Sequence, residues 1–502
     1  MLLSKRIGLI LGLALFFVIT AMPVPNELKP SAMKALAVVA LMAVWWITEA
    51  LPVYVTAFVP LALYPILGIL TASETAENYS HSFVLMLLGG LIIAKAIEHQ
   101  NLHKRIALVS IKLMGSNKKN IVLSFMIATA FLSMWLANVA VALMMLPIAL
   151  AVSTKEESSV KNNSNTAKKF SIALMLSVAY AASIGGMASL IGTPPNLVFA
   201  GIISSLFPNA PEITFFNWLV IGLPLVIVIL PISWLFLIRY FKIEGSISAG
   251  AEIINKEHLA LGKITTAEKR VLAVFLLVAF GWIFRKDIVL GSFIIYGWTN
   301  ILPLPHYIND TTIAFIGVLL MFITPSGKIE NGKKEYLLNW KVAETVPWGV
   351  VMIVGGGYAI AKSFKVTGLA LWLGEQINIF SQLPVFFILW LVVFLITFLT
   401  EINSNTATAN IILPILATMA VSSTIHPYLL MIPATFACSC AFCMPSGTGP
   451  NAVIFSSEKI SIYEMAKAGI WMNLIAIIII TIIAYVIAVP YFGLSELPNW
   501  IK

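Results

Sequence analysis

Ser404-Asn405-Thr406-Ala407-Thr408-Ala409-Asn410-Ile411-Ile412-Leu413-Pro414-Ile415 is an altered copy of Ala137-Asn138-Val139-Ala140-Val141-Ala142-Leu143-Met144-Met145-Leu146-Pro147-Ile148. The offset from Asn138 to Asn405 is 267 residues, more than half of the 502-residue chain. Gly89-Gly90, Lys95 and Leu102 match Gly356-Gly357, Lys362 and Leu369 at the same offset. Further on, Gly192-Thr193-Pro194-Pro195-Asn196 is answered by Gly447-Thr448-Gly449-Pro450-Asn451, 255 residues later. A chain that repeats polar, helix-breaking motifs in order within apolar surroundings has the pattern of a duplicated transporter, whose substrate site lies at such paired breaks.

Composition supports that class. Hydrophobic residues make up 60% and charged residues 11% of the chain. Its many long apolar runs imply helices crossing a membrane, because unpaired backbone groups in lipid cost several kcal/mol each. The net charge of +9 is carried by loop Lys and Arg, which orient membrane proteins, and nucleic acid is not an expected partner. Lys5-Arg6 followed by apolar residues resembles a signal peptide, but the small-residue cleavage site is poorly formed, so a retained helix over residues 1–33 is expected.

Spans are expected near 7–23, 34–50, 53–70, 82–97, 214–238, 271–284, 311–324, 347–364 and 467–490, with a less regular one over 288–302. The stretches 121–152 and 384–424 are too long for one crossing, and each carries a polar centre and a proline. Intervals 170–205 and 427–455 break at their Gly-Thr motifs, since proline lacks the amide donor and clashes with the preceding turn.

Loop charge then sets direction. Lys104, Arg105, Lys112, Lys118 and Lys119 precede 121–152, and Lys155, Lys161, Lys168 and Lys169 follow it. Basic flanks on both sides predict a re-entrant hairpin from the cytoplasm. The flanks of 384–424 lack Lys and Arg and predict a hairpin entering from outside. The expected organisation is therefore a first inverted repeat over 34–270 and a second over 271–502. Ser164-Asn165-Thr166 copies the second triplet, but it lies among lysines at the surface and is a decoy.

Polar groups at membrane depth are costly and tolerated where they line a cavity or are buried. An Asn amide and its neighbouring hydroxyls can offer oxygens to a cation and N–H or O–H donors to an anion. Helix starts add positive partial charge. One such Asn is as readily a helix-to-helix hydrogen bond. Two at one offset, each followed by its own Gly-Thr break, point to a site. Glu401 has two readings, a coupling acid or a carboxylate that supports its hairpin. Glu49 and Lys95 read as structural pairs, and the glycine pairs as close helix contacts. Cys438, Cys440 and Cys443 are read as small packing residues of one apolar helix, and the six histidines form no cluster. Asn78-Tyr79-Ser80 and Asn309-Asp310-Thr311 match the short glycosylation pattern, which chance often produces.

Trp45-Trp46-Ile47-Thr48-Glu49-Ala50-Leu51-Pro52, Leu88-Gly89-Gly90, the first Gly-Thr-Pro-Pro-Asn break, Pro347-Trp348-Gly349 with Gly355-Gly356-Gly357, and Thr400-Glu401-Ile402-Asn403-Ser404-Asn405-Thr406 together resemble the divalent anion/sodium symporter family, carriers of dicarboxylates, citrate and sulfate. The resemblance implies an all-α polytopic fold of about eleven transmembrane helices and two hairpins, an elevator-like transport domain on a scaffold, and a homodimer in the bacterial inner membrane. It implies co-transported sodium at a first site of Ser133, Ala137, Asn138 and Gly192. The second would use Thr400, Asn403, Ser404, Asn405 and Gly447. Substrate would meet Asn138, Val139, Thr193, Ser404, Asn405, Thr406, Thr448 and Gly449. The family's usual first triplet is Ser-Asn-Thr, so Ala137 and Val139 each lack a hydroxyl, and Gly449 stands where Pro is usual.

Sodium-coupled uptake of four-carbon dicarboxylates is the expected function. The rivals are sodium-independent exchange and a passive anion channel. An enzyme is the remotest reading, because no nucleophile–base pair or metal-ligand set is evident.

Overall fold

The computed structural model describes residues 3–25, 28–112, 117–159, 164–246, 256–290, 293–330, 332–376, 383–494 and 496–501. Among these, nine helices are long and apolar enough to cross a membrane, from Pro30–Thr48 to Ile462–Phe492. Four shorter apolar helical segments accompany them: Val53–Leu67, Pro194–Leu206, Asp310–Ile323 and Pro427–Ala437. Many large apolar side chains are exposed along the outer helices, Ile66, Ile227, Leu319 and Ile478 among them. That surface suits lipid rather than water, and the protein is an integral, multi-pass membrane protein.

Several expected spans are altered by identifiable residues. The run 53–70 is two helices, Val53–Thr56 and Val59–Leu67, because Pro60 cannot donate to the preceding turn. The freed Ala57 carbonyl accepts from the Tyr79 hydroxyl at 2.5 Å, and Gly356 packs against it. The segment 288–302 is not a span. Ile288–Leu290 pairs antiparallel with Phe293–Ile295, followed by a 3₁₀ turn over Trp298–Ile301. Its β-branched residues on either side of Gly291-Ser292 favour a hairpin over a helix. A second small hairpin, Pro325–Glu330 with Lys333–Tyr336, occupies the Lys-rich segment 325–346, so the fold is mainly rather than wholly helical.

The first helix, Leu3–Ala21, lies against Pro30–Thr48, with Gly8 and Gly12 admitting Thr48 and Trp45. The boundaries expected at 33/34 and 270/271 both fall inside helices, Pro30–Thr48 and Thr266–Ile283.

The repeated stretches form two helix pairs, Lys118–Ser133 with Asn138–Ser159 and Val385–Ile402 with Asn405–Ser422. Each is followed by a helix that breaks. Ser164–Gly186 ends six residues before Gly192, and Pro427–Ala437 ends before the irregular stretch that leads to Gly447. The helix after each break crosses to the other half. Pro194–Leu206 packs on Asn405–Ser422, and Gly449–Phe455 packs on Asn138–Ser159. This exchange makes the two helix pairs and the two broken helices one packed body. Ser164–Gly186 lies near its middle, with 94% of its apolar window buried.

A buried ionic cluster secures the fold outside the repeated motifs. Arg285 is 2% exposed and donates to Asp310 Oδ1 and Glu212 Oε1, each at 2.6 Å. Asp310 also accepts from the Phe215 amide at 2.8 Å, tying the start of helix Phe215–Tyr240 to that of Asp310–Ile323. Removing one member of such a pair leaves a buried charge uncompensated. Arg285→Met is expected to lower unfolding stability by about 3–5 kcal/mol, measured by thermal or denaturant unfolding in detergent.

Candidate functional site

The two helix pairs turn at equivalent places. At the first turn the Ser133 hydroxyl lies 2.7 Å from Asn138 Oδ1 and 2.6 Å from the Ala182 carbonyl oxygen. At the second, the Thr400 hydroxyl lies 3.0 Å from Asn405 Oδ1 and 2.9 Å from the Cys438 carbonyl oxygen. Each cluster thus gathers three oxygens around a single hydroxyl proton. One proton serves two acceptors poorly, so each cluster holds more lone pairs than donors. Asn403 Oδ1 accepts from the Ser404 amide at 2.8 Å and shapes the second turn.

The breaks are held by a matching pair of asparagines. Asn196 Nδ2 donates to Gly186 O at 3.1 Å and Ser189 O at 2.7 Å. Asn451 Nδ2 donates to Ala441 O and Met444 O, both at 2.9 Å. Broken helices leave carbonyls without an amide partner, and a side-chain amide two turns on satisfies them. The sequence reading quoted both asparagines but gave them no role. Their shared place in the two Gly-Thr motifs was the available signal. Trp218 donates to the Met187 carbonyl at the first break, and Ser189 donates to the Met134 carbonyl at the first turn.

Between the turns and breaks lies a cavity of about 260 Å³. Of the residues named from sequence, Ala137, Asn138, Val139, Gly192, Thr193, Ser404, Asn405, Thr406, Gly447, Thr448 and Gly449 line it. Ser133, Thr400 and Asn403 stand behind the wall, the first two joined to it through the amides of Asn138 and Asn405. Tyr54, Pro347, Ile353 and Ser446 also line the cavity and were missed as site residues. Tyr54 and Pro347 adjoin motifs read only as family markers, while Ser446 directly precedes the Gly-Thr break.

No lining residue is charged. An anion here would be held by neutral donors and by the starts of helices Asn138–Ser159 and Asn405–Ser422, whose first amides carry positive partial charge. The two ends of the cavity differ. Where the second turn offers the Ser404 and Thr406 hydroxyls, the first offers Ala137 and Val139. Val139 leans on Gly449: a Cβ at that glycine would lie 2.1 Å from Val139 Cγ2. The two departures from the usual motifs therefore touch one another.

Other sequence readings resolve locally. Ser164-Asn165-Thr166 forms the first turn of helix Ser164–Gly186, outside the cavity lining, rather than a loop. Cys438 caps helix Pro427–Ala437, and Cys440 and Cys443 lie in the irregular stretch beyond it; they do not share one helix. Three amides of that stretch donate to Glu401. Lys95 pairs with Glu98 at 2.8 Å and Glu49 with Lys5 at 3.4 Å.

Glu401 is 5% exposed and accepts from the amides of Phe442, Cys443 and Met444 at 2.7, 2.9 and 3.0 Å, and from Asn473 Nδ2 at 2.7 Å. These bonds fasten the end of Val385–Ile402 to the second break and to helix Ile462–Ile483. The geometry is that of a supporting carboxylate. Glu401→Ala leaves several buried donors unsatisfied and is expected to cost on the order of 3 kcal/mol in detergent unfolding. A carboxylate serving only to couple ions would leave stability unchanged.

Known proteins resemble this chain in fold and in sequence. The solved structure of Neisseria gonorrhoeae MtrF, described as illuminating a class of antimetabolite efflux pumps, aligns with a TM-score of 0.60 at 14% identity, over 95% of this chain and 98% of that one. The Alcanivorax borkumensis YdaH transporter aligns with a TM-score of 0.54 at 14% identity, over 99% and 98% of the two chains. These likenesses concern the fold. In sequence, the chain is 40% identical over 498 residues to the sodium-dependent dicarboxylate transporter SdcS of Staphylococcus saprophyticus, covering 98% of this chain and 93% of that protein. The Staphylococcus aureus protein of the same name is 40% identical over 497 residues, with the same coverage. Residues 3–491 match the family described as the sodium:sulfate symporter transmembrane region, and the chain belongs to that family.

Proposed function

We propose that this protein is a sodium-coupled symporter of small dicarboxylates, succinate, malate and fumarate among them, in a bacterial cytoplasmic membrane. One observation carries the reading. Two amide-headed helix starts border one uncharged cavity, and each adjoins an oxygen cluster with more acceptors than protons. A sodium ion satisfies such a cluster directly, since hard cations take carbonyl, amide and hydroxyl oxygens. Sodium bound beside each turn makes the neighbouring helix start a better anion site, which ties cation and anion occupancy together. The curated relatives named as sodium-dependent dicarboxylate transporters support this choice of cargo.

In this reading the first sodium site comprises Ser133, Ala137, Asn138 and Gly192, and the second Thr400, Asn403, Ser404, Asn405 and Gly447. Substrate carboxylates meet Asn138, Thr193, Asn405 and Thr448, with the Ser404 and Thr406 hydroxyls at the second end and the Gly449 amide near the first. Val139 presents a methyl wall. The helix pairs act as two re-entrant hairpins of an inverted repeat. The crossed packing of the broken helices supports their moving as one transport domain in an elevator-type cycle. The remaining helices would form the scaffold and the surface of a homodimer.

Two substitutions test the assignment. Asn405→Ala is expected to abolish sodium-dependent succinate uptake into proteoliposomes while leaving the protein folded; wild-type-like uptake removes that residue from the site. Ala137→Ser combined with Val139→Thr restores hydroxyls to the first turn and is expected to raise apparent sodium affinity severalfold, read from uptake against sodium concentration. An unchanged sodium dependence would remove the first turn as a cation site.

A further inference from the structure

A second cavity, of about 500 Å³, adjoins the site cavity, and Leu91, Ala137, Val139 and Pro347 line both. Its walls are mostly apolar, yet it contains the two charges that the inner cavity lacks, Lys95 and Glu98. Lys95 Nζ lies 2.8 Å from Glu98 Oε2 near the end of helix Ser82–His99, with side chains 24% and 47% exposed. The pair is thus neither fully solvated nor sealed. Lys95 also has a counterpart in the repeat: Lys362, at the common offset of 267 residues, lies within electrostatic reach of Glu74.

We infer that Lys95 is the vestibule cation of this carrier, exchanging Glu98 for a substrate carboxylate as the dianion moves between the site and the face near the basic 99–120 segment. The inference rests on the dicarboxylate reading above. A dianion leaving an uncharged cavity through a mostly apolar one gives up donors before it regains water, which raises the barrier to release. A cation on the passage wall lowers that barrier. An unpaired cation would hold the dianion there. Glu98 competes for the same ammonium and returns it once the substrate departs, so capture and release remain balanced. The two residues therefore act in opposite senses on substrate affinity at one face only.

Sidedness and sign together form the test. Sodium-driven succinate transport is measured in right-side-out and inside-out membrane vesicles for wild type, Lys95→Gln, Lys95→Arg and Glu98→Gln. At the face exposed in inside-out vesicles, Lys95→Gln is expected to raise KM about five- to tenfold, the order of one partly screened unit charge. Glu98→Gln is expected to lower KM there by about twofold, because the ammonium loses its competitor. Lys95→Arg keeps the charge and stays near wild type, and KM at the opposite face is unchanged in all three. If the two neutral variants shift KM in the same direction, or equally at both faces, the pair only braces the helix end and the inference falls. If the wild-type protein itself accumulates no succinate on a sodium gradient, the functional reading falls and takes this assignment with it.

Discussion

Breaking a helix inside an apolar body exposes backbone groups that must find partners, and nearly every polar contact at the centre of this molecule answers that demand. Asn196 and Asn451 bind the carbonyls released at the two breaks. Glu401 binds three amides in the second, whereas in the first Trp218 binds the Met187 carbonyl and Ser189 reaches back to the Met134 carbonyl at the turn. Once the breaks are satisfied, the short helices Pro194–Leu206 and Gly449–Phe455 are free to pack across the repeat. The cavity is what remains between the turns and the crossed helices. Its chemistry follows from the same constraint, because groups left over after backbone satisfaction are the ones available to a ligand.

Much of this was legible in the sequence because it rests on residues with few alternative uses. Asparagine in an apolar run, followed further along the chain by glycine, threonine and proline, marks a break whatever the neighbours do. Eleven of the fourteen residues named from the repeat and the family resemblance line one cavity, and the other three bond to its lining residues. The segment 288–302 was read as a span because its apolar content hides the β-branched pattern that makes it a hairpin. The break within 53–70 depends on Pro60 and is stabilised by Tyr79, a contact invisible to local pattern. Tyr54, Ile353 and Ser446 reach the cavity through tertiary packing and carry no periodic signature.

Glu401 shows how the same residue type can be misjudged without its partners. An acid in an apolar stretch invites an ionic role, since an unpaired carboxylate there would be expensive. Four donors from two other elements change that account. The charge is spent on holding the irregular backbone, and Asn473, on helix Ile462–Ile483, extends the support. In the first half Trp218 donates to the Met187 carbonyl at the break, and Ser189 donates to the Met134 carbonyl at the neighbouring turn. Duplicated elements need not retain the same supporting chemistry.

The two ends of the cavity illustrate that freedom at the ligand itself. Loss of a hydroxyl at Val139 removes a donor, and the methyl that replaces it needs room. Gly449 supplies the room, since even a Cβ there would overlap Val139 Cγ2. Glycine also carries the amide N–H that proline lacks. The end of the cavity near Val139 has fewer hydroxyl donors than the end lined by Ser404 and Thr406. A hydroxyl rotates to suit its partner, so the end near Thr406 is the more adaptable of the two.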